Sequence, residues 1–167
     1  RASKGHALRP VSYGDELVAN GTFDDNIDNW TDNNTEGTIA YNSSGAMDLA
    51  RNGGNGANIA VQTISTLSVG KLYKVAFDVT AVNGAVRIRF DDQSFTTSPN
   101  NTTGHFSFSF VATTFSDDFI IDLRNAGNAT ATIDNVSVKE VLFDQPDGTL
   151  TLFEHPNNVP RVEYDAD

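Results

Sequence analysis

Six polar residues of this chain lie in short apolar-alternating runs, out of phase with the apolar side chains beside them. They are Gln62, Asp78, Arg87, Arg89, Asp122 and Arg124. Guanidinium, carboxylate and amide groups can hydrogen-bond two adjacent hydroxyl groups as a pair, so a sheet surface that gathers several of these residues would suit a polyhydroxylated ligand. The alternative is an exposed sheet face on which the charges only pair across strands.

Catalytic chemistry has little support in the sequence. A Ser-His-Asp arrangement needs histidine, and the three histidines are His6, His105 and His155. The chain contains no Gly-x-Ser-x-Gly, no His-Glu-x-x-His and no phosphate-binding glycine loop. Asp117 and Asp118 could in principle support glycosidase chemistry, but paired acids carry little information in so acidic a chain. We therefore predict that the chain is not an enzyme.

Composition narrows the possible partners of this 167-residue chain, which is long enough for one domain with a core. Its formal net charge of −11 repels nucleic-acid phosphates, and no Lys/Arg cluster offsets that repulsion. The acidity suits divalent cations or, more commonly, solubility. The absence of cysteine excludes a disulfide framework and a thiolate zinc site. No apolar run approaches the roughly 20 residues that span a bilayer, so we expect neither nucleic-acid binding nor membrane insertion.

The elements that must position the polar residues are short strands. Nine segments are rich in β-branched or aromatic residues and are bounded by turn residues. They are 16–19, 37–41, 46–51, 58–64, 72–81, 85–91, 105–112, 117–124 and 130–140. Asn83-Gly84 predicts a hairpin turn between two of them. This pattern predicts an all-β fold, an antiparallel β-sandwich or barrel.

The two ends of this stretch look like matching strands. Residues 17–24, followed by Trp30, open it, and residues 131–139 close it. We expect them to hydrogen-bond side by side and shut the sandwich. Residues 1–15 then form an extended lead-in from a parent protein, 16–140 the module, and 141–167 a hairpin around Asp147-Gly148 with an extended tail.

Residues 16–140 resemble the β-jelly-roll carbohydrate-binding modules of the family 4/9/22 type, part of the galactose-binding-like group. The matching segments are 17–24 with Trp30, 45–49, 69–75 and 133–138. The resemblance implies a jelly roll that binds sugar on the outward face of its middle strands. Such faces usually carry Trp or Tyr; Trp30 matches the family's core tryptophan, which leaves Tyr41 and Phe95 as stacking candidates. Phe95 is expected to fold back onto the edge of the sandwich.

The resemblance also implies a structural calcium ion where the first strand meets the last. Asp24 would supply one carboxylate and Asp134 the other, with a backbone carbonyl near Ala46 or Met47. Calcium takes about six to eight oxygen ligands and accepts carbonyls. The family usually has Glu where this chain has Asp24, which shortens the reach by one methylene group. The alternative is that Asp24 is a turn residue and Asp134 caps a strand edge.

The flanks resemble a different class of protein. Residues 1–3 and 158–165 are similar to segments of tailed-phage tail and tail-fibre proteins, between which such jelly rolls are often inserted. This resemblance implies a virion or extracellular location, a cell-surface carbohydrate partner and contacts with neighbouring subunits of the same protein. The predicted function is host-surface glycan recognition without catalysis. The alternative is a purely structural virion or filament subunit in which the sandwich and tails mediate assembly.

Overall fold

Strands account for all the regular structure in the described part of the chain, which covers residues 10–32, 37–53, 59–90, 93–96, 100–124, 127–143, 152–154 and 160–162. In this computed structural model the strands are β1 (Pro10–Glu16), β2 (Gly37–Asn42), β3 (Ala46–Asn52), β4 (Ala60–Thr63), β5 (Leu72–Asn83), β6 (Ala85–Phe90), β7 (Gln93–Thr96), β8 (Gly104–Val111), β9 (Asp118–Arg124), β10 (Asn128–Phe143), β11 (Leu152–Glu154) and β12 (Pro160–Val162). Within these ranges no helix offers the length and apolar character needed to cross a membrane.

Ten of the strands form two antiparallel sheets. The larger sheet has the order β2-β3-β10-β5-β8, with β1 also paired to β10, and the smaller sheet has the order β4-β9-β6-β7. Their inner faces share one core: Phe90 of the smaller sheet stacks on Phe110 of the larger sheet, with ring centroids 4.8 Å apart. The fold is therefore an all-β antiparallel sandwich of the jelly-roll kind, as the sequence predicted.

The opening segment and the closing strand hydrogen-bond to each other, which confirms the predicted closure. The Leu17 amide donates to the Val138 carbonyl at 3.0 Å, and the Val136 amide donates to the Gly21 carbonyl at 2.9 Å. Any Cβ added at Gly21 would lie 2.0 Å from the Val136 carbonyl oxygen. Only glycine therefore fits where the chain crosses β10.

The residues around Gly21 anchor the same crossing to the core. Asn20 has a φ of 50°, and its side-chain amide donates to the carbonyls of Asn26 and Asp28, each at 3.1 Å. The Trp30 indole Nε1 donates to the Asn20 carbonyl at 3.2 Å. Phe23 is fully buried against Trp30, with ring centroids 5.7 Å apart. This confirms that Trp30 is a core residue.

The strand predictions were correct in most places and wrong in three. The first strand ends at Glu16, so 16–19 was misplaced, and β7 was not among the predicted strands. Asn83-Gly84 does not make a hairpin, because β5 belongs to the larger sheet and β6 to the smaller one. Asn101 holds this crossing instead: its amide donates to the Gly84 carbonyl at 2.7 Å, and its side-chain oxygen accepts from the Gly84 amide at 2.8 Å.

Residues Tyr13–Val141 form one compact unit that contains the whole core cluster. The remaining described residues belong to a second unit, in which β11 and β12 pair antiparallel. The predicted turn at Asp147-Gly148, the phage-like segment 1–3, all of the segment 158–165 except β12, and His6 and His155 lie outside the described residues.

Candidate functional site

Two neighbouring strands of the smaller sheet carry an ion pair on the face turned away from the core. Val86, Ile88 and Phe90 of β6 point into the core, so the arginines between them face outward. Arg87 lies directly opposite Asp122 of β9. Its Nε donates to both carboxylate oxygens, at 2.8 and 2.9 Å, and its Nη2 donates to Oδ2 as well. This planar pair is the centre of the outer face of the smaller sheet.

Two further predicted residues flank that pair. Arg89 lies two positions along β6, with its Nη1 3.9 Å from Oδ2 of Asp122. Arg124 lies two positions along β9, opposite Ala85, and its side chain is exposed. Residues two apart in a strand share a face, so three guanidinium groups lie on the same side of the sheet as the Asp122 carboxylate, which is buried beneath them. We call this surface the arginine face: Arg87, Arg89, Asp122 and Arg124.

Gln62 does not belong to the arginine face, and the expectation that it faces outward was wrong. It lies opposite Phe119 in the β4–β9 pairing and is only 3% exposed. Its Oε1 accepts from the Ala19 amide at 2.7 Å, and its Nε2 donates to the Ala19 carbonyl at 2.9 Å. Because β4 is buried on both faces, the alternation of apolar residues does not show which of its side chains point outward. The Gln62 side chain therefore pairs with the backbone amide and carbonyl groups of the opening segment.

Asp78 faces outward as expected, but on the other sheet. It lies on β5 of the larger sheet, where its Oδ1 is 2.7 Å from Nδ1 of His105. Its Oδ2 accepts from the Asn135 side-chain amide at 2.9 Å. The structure therefore brings together four of the six predicted ligand-binding residues and separates Gln62 and Asp78 from them.

The two predicted calcium ligands, Asp24 and Asp134, lie in different surroundings. The Tyr41 hydroxyl donates to the Asp24 carbonyl at 3.0 Å. Tyr41 lies opposite Met47, and Met47 lies opposite Ile133, the residue before Asp134. Met47 and Ile133 are core residues, whereas Asp134 lies opposite Asp78 of β5 on the outward face, so these pairings do not bring its carboxylate to Asp24.

Both predicted calcium ligands accept hydrogen bonds from residues close to them in the chain. Asp24 is exposed, and its Oδ2 accepts from the Thr22 hydroxyl at 3.0 Å. The Asp134 oxygens accept from the amide and the side chain of Asn135, at 2.6 and 3.3 Å. Among the described residues no group of three or more His, Cys, Asp or Glu side chains is arranged to hold a metal. Backbone carbonyls would therefore have to supply the remaining oxygens.

The stacking candidates occupy different environments. Phe95 packs against the core, with its ring 4.9 Å from that of Phe108, as expected for a residue folded onto the sandwich edge. Tyr41 is 39% exposed, with its hydroxyl engaged by Asp24. Sequence reasoning missed Phe115, which is 73% exposed in the loop between β8 and β9. The only sequence signal was an aromatic residue in the polar run Thr113-Thr114-Phe115-Ser116-Asp117.

The fold is a β-sandwich, and a family match identifies its class. The model of the carbohydrate-binding domain family 4/9 matches residues 15–119, and the chain belongs to that family. It is a non-catalytic carbohydrate-binding module. No curated protein matches the sequence.

Solved structures of similar fold are distant in sequence. The N-terminal cellulose-binding domain of β-1,4-glucanase C from Cellulomonas fimi is 16% identical, with a TM-score of 0.50 over 75% of this chain and 97% of that one. A family 29 carbohydrate-binding module variant is 15% identical, with a TM-score of 0.49 over 77% and 85% of the two chains. The CBM22-1–GH10 modules of xylanase 10B from Clostridium thermocellum, complexed with xylohexaose, are 17% identical, with a TM-score of 0.49 over 74% and 28%. The likeness to the cellulose-binding domain supports the fold alone.

Proposed function

We propose that the module binds a cell-surface polysaccharide on the arginine face and serves host recognition in a phage tail or tail fibre. The observation that carries the binding proposal is the Arg87–Asp122 pair with Arg89 and Arg124 beside it. The guanidinium groups offer paired donors to adjacent sugar hydroxyls, and the buried Asp122 carboxylate holds Arg87 in its orientation. The similarity of residues 1–3 and 158–165 to phage tail segments supports the virion context.

Arg124 provides the cleanest test of this surface. Screening the full chain on a glycan array and titrating the best oligosaccharide calorimetrically should give binding that Arg124→Ala weakens at least about tenfold. Because Arg124 is exposed, the melting temperature should not change. Lys74→Ala, on the larger sheet, is the matched control and should bind like the parent chain. If Arg124→Ala and Arg87→Ala both retain full affinity, the binding site is elsewhere.

A purely structural subunit is the competing function, and the same array separates the two. A structural subunit would bind no glycan.

We also propose that the residues outside Tyr13–Val141 contact neighbouring copies of the chain. Light scattering should show association of the full chain and a monomer for residues 13–141, which retain the whole core. If the full chain and residues 13–141 are both monomeric, the assembly proposal is wrong.

We further propose that a structural calcium ion is held by Asp24 and Asp134. The resemblance of residues 17–24 and 133–138 to modules with a structural calcium ion supports it. The ion would link the opening segment to β3 and β10 of the larger sheet, whereas the proposed sugar site lies on the smaller sheet. Because the ion would stabilise the fold, removing it with a chelator is the appropriate test.

A further inference from the structure

Two loops at one end of the sandwich run side by side and hold each other in place. Residues 64–71 join β4 to β5, and residues 112–117 join β8 to β9; we call them the rim loops. The amides of Ile64 and Leu67 donate to the carbonyls of Asp117 and Ser116, at 2.7 and 2.8 Å. The Gly70 amide donates to the Ala112 carbonyl at 2.8 Å. These bonds fix the backbone on both sides of Phe115.

The rim loops are also anchored to the core and to β7. Leu67, Ala112 and Ser116 are 1%, 1% and 2% exposed. The Gln93 side chain accepts from the Thr113 amide at 3.0 Å and donates to the Val111 carbonyl at 3.1 Å. A loop with this many buried backbone contacts has little freedom to fold its exposed side chains inward.

From this fixed loop Phe115 projects into solvent, 73% exposed, and Val69 of the facing rim loop is 47% exposed. Polar side chains surround them. The exposed polar residues of the two loops are Ser65, Thr66, Ser68, Lys71, Thr113 and Asp117. An exposed phenyl ring on a rigid backbone keeps apolar area in water, which is unfavourable unless a ligand covers it.

The surroundings of the ring identify the kind of ligand. Lys71 is the only cation in the rim loops, and its ammonium lies 2.8 Å from the Glu140 carboxylate, which raises the pKa of Lys71 above its ordinary value. A polyanion would therefore meet little positive charge. A stable protein partner buries about 800 Å² on each side around several apolar anchors, whereas the exposed apolar residues here are one ring and two valines, Val69 and Val111 at the end of β8.

We propose that Phe115 is a stacking platform for a neutral pyranose, forming a second carbohydrate subsite at the rim of the sandwich. The ring would cover the C–H face of the sugar, while the Asp117 carboxylate and the Thr113 hydroxyl would lie beside it for the sugar hydroxyls. The loop leads directly into Asp118, the first residue of β9, the strand that carries part of the arginine face. The subsite rests on the proposed glycan-binding function and extends it beyond the sheet.

A tryptophan at this position makes the subsite visible. The only native tryptophan, Trp30, is buried, so the Phe115→Trp chain gains one exposed indole. We would titrate the full-length variant with cellohexaose, xylohexaose and mannohexaose and record its emission. At least one hexasaccharide should shift the emission of the Phe115→Trp chain to shorter wavelength and leave the parent emission unchanged. Unchanged emission of the variant with all three sugars would overturn the subsite.

A second variant separates the subsite from the arginine face. Phe115→Ala should weaken calorimetric binding of the responding hexasaccharide about tenfold at an unchanged melting temperature. Tyr13→Ala removes another exposed aromatic ring, on β1, and should leave the affinity unchanged. If Arg124→Ala loses binding and Phe115→Ala does not, the subsite is wrong and the proposed function stands. If the parent chain binds no glycan, both are wrong.

Discussion

A single glycine determines how the opening segment meets the last strand of the sandwich. Gly21 lies so close to Val136 that a methyl group would collide with its carbonyl oxygen, and its own carbonyl accepts the Val136 amide. The neighbouring Asn20 takes a left-handed backbone conformation that its side chain stabilises by local hydrogen bonds. The Asn-Gly pair of the family-like opening motif is therefore a packing requirement.

Replacing Gly21 with Ala should destabilise the module by about 3 kcal/mol or more, because backbone must move to relieve the overlap. Urea unfolding would measure the loss. Gly14→Ala is a matched control in the same pair of strands, since its Cβ would meet only ordinary contact at 3.4 Å from the Glu140 Cβ. We expect Gly14→Ala to change stability by less than about 1 kcal/mol. Equal effects of the two substitutions would contradict this account.

Local alternation placed the arginine face correctly and failed elsewhere for identifiable reasons. In β6 and in the second half of β9 charged residues alternate with large apolar ones, so Arg87, Arg89, Asp122 and Arg124 could be assigned to one side. Gln62 lies in a strand buried on both sides, where alternation carries no phase. The exposure of Phe115 depends on loop hydrogen bonds between residues far apart in sequence, which no local pattern contains.

The cross-strand pair of Arg87 and Asp122 ties β6 to β9 as well as presenting polar groups. Asp122 is only 1% exposed, so its carboxylate depends on the guanidinium opposite it. Removing one member of a buried pair costs far more than removing both together.

Arg87→Ala should therefore lower the free energy of unfolding by about 2 kcal/mol or more, since Asp122 would remain buried beside the more distant Arg89. The double variant Arg87→Met/Asp122→Leu should recover most of that stability while glycan binding stays lost. Thermal melts and calorimetric titrations on the same samples would show both effects. A double variant as unstable as Arg87→Ala would indicate that packing, rather than the unpaired charge, is responsible.

Strand boundaries were predictable, but strand partners were less so. The alternating runs of β5, β6, β8 and β9 mark their own inward faces. Sheet membership is decided by long-range pairing, so Asn83-Gly84 looked like a hairpin although Asn101 turns the chain into the other sheet there. Asp78 was grouped with residues of the smaller sheet for the same reason. β7 was missed because one phenylalanine among polar residues gives no periodicity.

At the scale of the whole module, the proposed calcium ion would add a link between the opening segment and the strands β3 and β10. Chelation with EDTA should lower the melting temperature, and calcium added in excess of the chelator should restore it, because a ligand that binds only the folded state stabilises it. Asp24→Asn and Asp134→Asn should each abolish the response. Asp118→Asn, on the smaller sheet, should respond like the parent chain. If the chelator does not change the melting temperature, the calcium proposal is wrong.

The antiparallel contact between the opening segment and β10 has a mechanical consequence. Gly14 faces Glu140, Leu17 bonds Val138 and Gly21 bonds Val136, so the two ends of the Tyr13–Val141 unit emerge next to each other. A pull on those ends would act on the bonds one at a time, as a zipper opens, instead of shearing all of them together. A module tethered at both ends should therefore yield at low force, beginning with β1, while the rest of the sandwich still holds.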